Sequence, residues 1–198
     1  MKLLCLFCFS LIVLSCSNNS LNEKQQPKKE NKTIKKVQTL ILKDSLAHKP
    51  KPYFNFNNVL HFNSGLYKGV SIELYETKDK SKKQLAQFLT VVDPQIKSLK
   101  DSTIIKLLEA AKFKLDTIPK NKHKDINYIF SKKTDAEGND LACIAEYNDY
   151  FIFKQNNKIT GIALICFGCG QDIIIGSPIS THNFGINEEF YKLKKLVK

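Results

Sequence analysis

Apolar and polar positions change their period several times along the chain, and the changes mark out its elements. Residues 3–14 form an almost unbroken apolar run behind Met1-Lys2, whereas 17–36 are polar apart from Leu21 and Ile34. Residues 37–42 are apolar enough for an opening strand, broken by His48-Lys49-Pro50-Lys51-Pro52. Tyr53, Phe54, Phe56, Val59, Leu60 and Phe62 stand among Asn residues and predict a loop or irregular strand. Val70, Ile72 and Leu74 alternate with Ser71, Glu73 and Tyr75, the period of a half-buried strand. Leu85, Phe88, Leu89 and Val92 then recur at helical spacing until Asp93-Pro94. A second helix is expected over 104–111, capped from Asp101 or Ser102, with Ile104, Leu107, Leu108 and Ala111 on its core face.

From Ile126 onward short apolar runs alternate with turn-forming residues, the signature of an antiparallel meander. The expected strands are 128–130, 141–147, 150–153, 159–166 and 173–175, with turns at 136–140, 148–149 and 155–157. Asn187-Glu188-Glu189 opens a terminal helix, with acids at the positive end of its dipole and Lys192, Lys194, Lys195 and Lys198 toward the negative end. The expected fold class is α+β: an antiparallel β-sheet meander with two to three helices packed on one face.

The opening 16 residues carry the most specific signal. A helix of about 12 apolar residues is about 18 Å long, too short for the roughly 30 Å hydrocarbon core, so 1–15 read as an export signal. Val13-Leu14-Ser15-Cys16 resembles the lipobox of bacterial lipoproteins. The resemblance implies cleavage after Ser15, diacylglyceryl attachment at Cys16 and a membrane anchor, at about 0.8 kcal/mol per buried methylene. Residues 16–37 then form a Lys-rich tether too polar to offset its ordering entropy, and 38–198 form one domain. The resemblance implies a membrane-anchored lipoprotein, with the domain expected in a bacterial cell envelope, outside the cytoplasm. The stretch 162–196, with Cys-Phe-Gly-Cys, Pro178, Gly185 and a Glu-led helix, resembles a pattern in uncharacterised bacterial exported lipoproteins and implies no activity.

A net charge of +12 invites a nucleic-acid reading, yet all 31 basic residues are Lys. Lys lacks the guanidinium fork that reads guanine and phosphate bidentately. Lys2 and residues 17–37 hold seven of the 31 Lys and two of the 19 acids, which leaves the domain near +7 with its excess dispersed. No nucleic-acid partner is expected.

Catalytic signatures such as a phosphate loop, a nucleophile elbow or a His-Glu-x-x-His motif are missing, so no catalytic residue, cofactor or metal is assigned. His48 and His123 stand in Lys-rich loops and are expected in solvent, while His61 and His182 are expected partly buried. Cys166-Phe167-Gly168-Cys169-Gly170 remains, with three readings: a disulfide between Cys166 and Cys169, a redox pair, or one half of a zinc site that Cys143 and His182 would have to complete. Cys143 is expected as a buried free thiol, because Glu146 sets the outward parity of its strand. The leading functional expectation is a lipid-anchored binding or structural module. The alternatives are an envelope thiol oxidoreductase or metal-binding protein using Cys166 and Cys169, and an inhibitor or immunity lipoprotein acting on a protein partner.

Overall fold

A computed structural model describes residues 50–96, 98–99, 103–133 and 143–198. The chain divides into units of Met1–Lys43 and Asp44–Lys198, and all described residues belong to the second. The export signal, the lipidation site, the tether, the opening strand at 37–42, the Asp101-Ser102 cap and the turn at 136–140 lie outside them.

Two short strands, β1 (Lys51–Pro52) and β4 (Ser131–Lys132), pair with each other. The main sheet is built from β2 (Asn58–Asn63), β3 (Lys114–Thr117), β5 (Asp149–Gln155), β6 (Lys158–Cys166) and β7 (Gln171–Ile175). Its order is β3-β2-β5-β6-β7, antiparallel throughout. The antiparallel sheet and α+β class expected from the sequence are present, with β5, β6 and β7 as consecutive meander strands.

The helices are arranged differently from the expectation, because they cover both faces. Tyr150 and Ile152 of β5 and Ile162 and Leu164 of β6 pack with α1 (Val70–Glu76), α2 (Lys82–Gln87) and α3 (Ile104–Ala110). Phe151 and Phe153, with Ala163 and Ile165, point the other way and pack with α4 (His123–Ile129) and α5 (Glu189–Val197). The physical reason lies in the strand sequences themselves. Tyr-Phe-Ile-Phe and Ile-Ala-Leu-Ile are continuous apolar runs, and a strand without polar alternation needs cover on both sides.

Several local readings change with this. Residues 70–76 form a helix rather than a strand: Val70 and Leu74, four apart, are buried, while Ile72 is 58% exposed. Residues 128–130 end helix α4 instead of forming a strand, since Ile126 and Ile129 bury a helical stripe. The predicted irregular segment around Val59 contains β2, an inner strand of the sheet. The helical period of Leu85 to Val92 is present: α2 begins with a capping box between Ser81 and Gln84, and from Phe88 to Val92 the helix widens into a π-helical turn that the period does not foretell. The Tyr150 hydroxyl donates to the Thr90 carbonyl of that turn at 2.7 Å, fastening it to the sheet.

Gly161 fixes the packing of the second face. A Cβ there would lie 2.2 Å from the Phe54 ring, whose centroid is 4.3 Å from that of Phe153. Gly161→Ala is therefore expected to lower unfolding stability by about 1–3 kcal/mol through overpacking, measured by urea denaturation. An unchanged midpoint would show that Phe54 is free to move aside.

Candidate functional site

The start of β5, the end of β6 and the start of β7 meet at one rim of the sheet, where residues 143–148 run past α1. This segment pairs with no strand and is held by its polar side chains together with single backbone hydrogen bonds, such as the Tyr147 N–H on Val91 O at 2.9 Å. The Glu146 carboxylate accepts the N–H of Gly69 at 3.0 Å, the N–H of Ser71 at 3.1 Å and the Ser71 hydroxyl at 2.7 Å. Gly69, with φ of 91°, turns the chain into α1 and supplies no capping side chain. Glu146 thus caps a helix 75 residues earlier, binding the free amides and opposing the positive end of the dipole.

Next along the segment, the Ser64 N–H donates to Asn148 O at 2.9 Å, and the Asn63 side-chain amide donates to Asp149 Oδ1 at 2.8 Å. His61 Nε2 lies 2.8 Å from the same Asp149 oxygen. A carboxylate only accepts, so Nε2 carries the proton. The His61 ring also stacks on Phe151, with centroids 4.6 Å apart and planes 16° apart. Held on a face by Phe151 and at its edge by Asp149, His61 is a satisfied structural histidine.

The cysteines pair differently from the sequence-based reading. Cys143 is bonded to Cys169, with Cα atoms 6.1 Å apart, and Cys166 is the buried free thiol. This corrects both the Cys166/Cys169 disulfide and the buried, unbonded Cys143. The parity argument for Cys143 fails because 143–148 contains no strand, so Glu146 says nothing about which way Cys143 points; Cys143 is exposed. Cys166, by contrast, ends β6 in line with Ile162 and Leu164 and is 2% exposed. Its sulfur accepts the N–H of Glu146 and the N–H of Cys169, each at 3.3 Å.

Other expected positions also move. His182 is exposed, and His123 is half-buried, with Nε2 3.0 Å from Ile118 O and its ring against Phe56. Bonding of Cys143 to Cys169 removes two of the thiolates that a zinc site would have used. Among the described residues no three His, Cys, Asp or Glu side chains are grouped to hold a metal ion. Glu189, expected simply to favour the helix start, is buried and paired with Lys133 at 2.8 Å.

Around the disulfide lies a cleft of about 480 Å³, lined by Cys143, Cys166 and Cys169 together with Ile72, Ile144 and Phe167. Lys68 and Lys194 stand at its margin, and the Lys194 ammonium is 5.9 Å from the Phe167 ring centroid. Glu146 and Asp149 also line it, but their hydrogen bonds hold the walls. Chemically the cleft offers an apolar floor, two ammonium groups, one disulfide and one thiol. Sequence reasoning missed Glu146 and Asp149, whose partners are 75 to 88 positions away; the turn signal Asn148-Asp149 was the one local clue.

Burial pushes the Asp172 carboxyl, at the start of β7, up to about 7. Burial likewise raises the Tyr147 phenol, with smaller contributions from Cys166 and Asp172. For Asp172 the folded value lies above the unfolded one, so the unfolded chain gives up its proton first. Stability from this group is therefore lost as pH rises from about 4 to about 7. Asp172→Asn is expected to be more stable than wild type at pH 8 by on the order of 2 kcal/mol, with the gap closing near pH 4. Urea midpoints at the two pH values test this, and a gap independent of pH would refute it.

No known protein family, no curated protein and no solved structure matches the chain.

Proposed function

We propose that the chain is a lipid-anchored protein of a bacterial cell envelope, held at Cys16, whose α+β domain is a binding module with the rim cleft as its contact surface. The observation that carries this is the bond between Cys143 and Cys169 across the cleft, in a chain that opens with Val13-Leu14-Ser15-Cys16. Structural disulfides persist in oxidising compartments outside the cytosol, where a lipobox would deliver the domain. The cleft supports binding because Ile72 and Ile144 are 58% and 71% exposed beside it, with Lys68 and Lys194 at the edge. An apolar floor with few polar groups is the common composition of ligand sites.

Fractionation of bacterial cells expressing the chain tests the reading. Wild type is expected in the membrane pellet and the detergent phase with lipid mass on Cys16, whereas Cys16→Ser is expected to lack that lipid mass, to keep its uncleaved signal and to hold its disulfide intact. Recovery of wild type from the cytosol with all three domain thiols reduced would overturn it.

A further inference from the structure

Three cysteines line one cleft, but only two are joined. We propose that the third, Cys166, exchanges into the bridge: its sulfur attacks Cys169, the Cys143–Cys169 bond breaks, a Cys166–Cys169 bond forms, and Cys143 leaves as a thiol. One S–S bond replaces another, the proton lost by Cys166 ends on Cys143, and neither oxidant nor reductant is consumed. The exchange uses the bridge alone, independently of the lipid anchor and of any ligand, and goes beyond the proposed function.

The turn between β6 and β7 brings the reacting residues together. Gly170 N–H closes it onto Cys166 O at 2.9 Å, and Cys169 N–H reaches Cys166 Sγ at 3.3 Å. The attacking sulfur therefore lies against the backbone of the residue it attacks. The same sulfur also accepts the N–H of Glu146, from the segment that begins at the leaving cysteine, at 3.3 Å. These two donors face the sulfur that carries the negative charge once Cys166 has lost its proton, and as Cys166 attacks Cys169 that charge passes to Cys143. Cys169 is flanked by Gly168, around which a Cβ would find open space, and by Gly170, with φ of 64°. Two glycines give the turn the freedom to re-aim Cys169 from Cys143 toward Cys166.

The consequence is a change of surface. Before exchange the bridge ties residue 143 to the β6–β7 turn across the cleft. Afterwards Cys143 carries a reactive thiol at an exposed position and the segment leading to Glu146 is no longer fastened at that end. Cys143 is then the thiol that disulfide-bearing small molecules or proteins would meet.

Kinetic trapping of the full chain in detergent, without reductant, tests the exchange. The folded protein is held at pH 8 with N-ethylmaleimide for increasing times, quenched in acid before unfolding, and digested with trypsin. Cleavage after Lys133, Lys154, Lys158 and Lys192 puts Cys143 in peptide 134–154 and both Cys166 and Cys169 in peptide 159–192. The expected result is linked peptides at time zero, then steady accumulation of maleimide on Cys143 beside an internally bridged 159–192, at least tenfold above Cys166→Ala. Labelling confined to Cys166, or unlinked peptides at time zero, would overturn the proposal. The wild-type time course decides the matter even if Cys166→Ala fails to fold.

Discussion

Glu189→Ala is expected to cost the domain about 3–5 kcal/mol, seen as a large drop in the urea midpoint. Glu189 is 2% exposed and its carboxylate takes two partners: Lys133 Nζ at 2.8 Å and the Asn187 N–H at 2.7 Å. The Lys133 ammonium is nearly enclosed, donating also to Ile129 O at 3.1 Å and Ser131 O at 3.2 Å. Removing the carboxylate leaves that charge in a poorly solvated site with only neutral acceptors. The pair joins the residue that follows β4, itself bonded to the last carbonyl of α4, to the start of α5, so the loss also loosens the packing of Leu193 against Ile126 and Ile129. A companion variant separates desolvation from packing. Lys133→Met with Glu189→Leu removes both charges and is expected to recover more than half of the loss, as apolar replacements of buried ion pairs do. A cost below about 1 kcal/mol for Glu189→Ala would show that water reaches Lys133.

Reduction of the Cys143–Cys169 bridge is expected to lower stability by about 3.5 kcal/mol in a Cys166→Ala background, where no other domain pairing is available. The value follows from loop-closure entropy for the sequence separation of 26. A bridge between Cys166 and Cys169 closes so short a loop that the same relation gives only about 2 kcal/mol. Paired oxidised and reduced urea titrations of the Cys166→Ala variant measure what the bridge across the cleft contributes, and the same titrations of wild type, where either pairing can form, separate about 3.5 from about 2 kcal/mol. A difference near zero would mean that residues 143–148 are held by hydrogen bonds, those of Glu146 and of Tyr147 and Asn148, without the bridge.

What the sequence disclosed follows from the range of the forces involved. The β5 and β6 runs and the turn at Gln155-Asn156-Asn157 are local, and their residues announce them; Asn156 and Asn157 adopt the positive φ that such a turn needs. The same runs, being apolar without alternation, already carried the information that both sheet faces are covered. Edge strand β3 was unreadable because Lys114–Thr117 is exposed throughout and carries no alternating apolar face. Residues 70–76 misled because Val70, Ile72 and Leu74 fit a strand period, whereas a carboxylate far along the chain caps them as a helix. At the rim, a Cys-x-x-Cys spacing made the nearer pairing look natural. Segment 143–148, folded over by Glu146, presents Cys143 to Cys169 instead, and no short-range pattern encodes that contact.

Intact mass of the full chain, extracted from bacterial membranes and alkylated under nonreducing denaturing conditions, tests the central claim most directly. The expected species begins at Cys16, carries the added mass of a diacylglyceryl group and holds a single alkyl group, because one of the three domain thiols is free and two are bridged. A chain that still begins at Met1, lacks lipid mass and is alkylated at all six cysteines would contradict both the anchor and the disulfide.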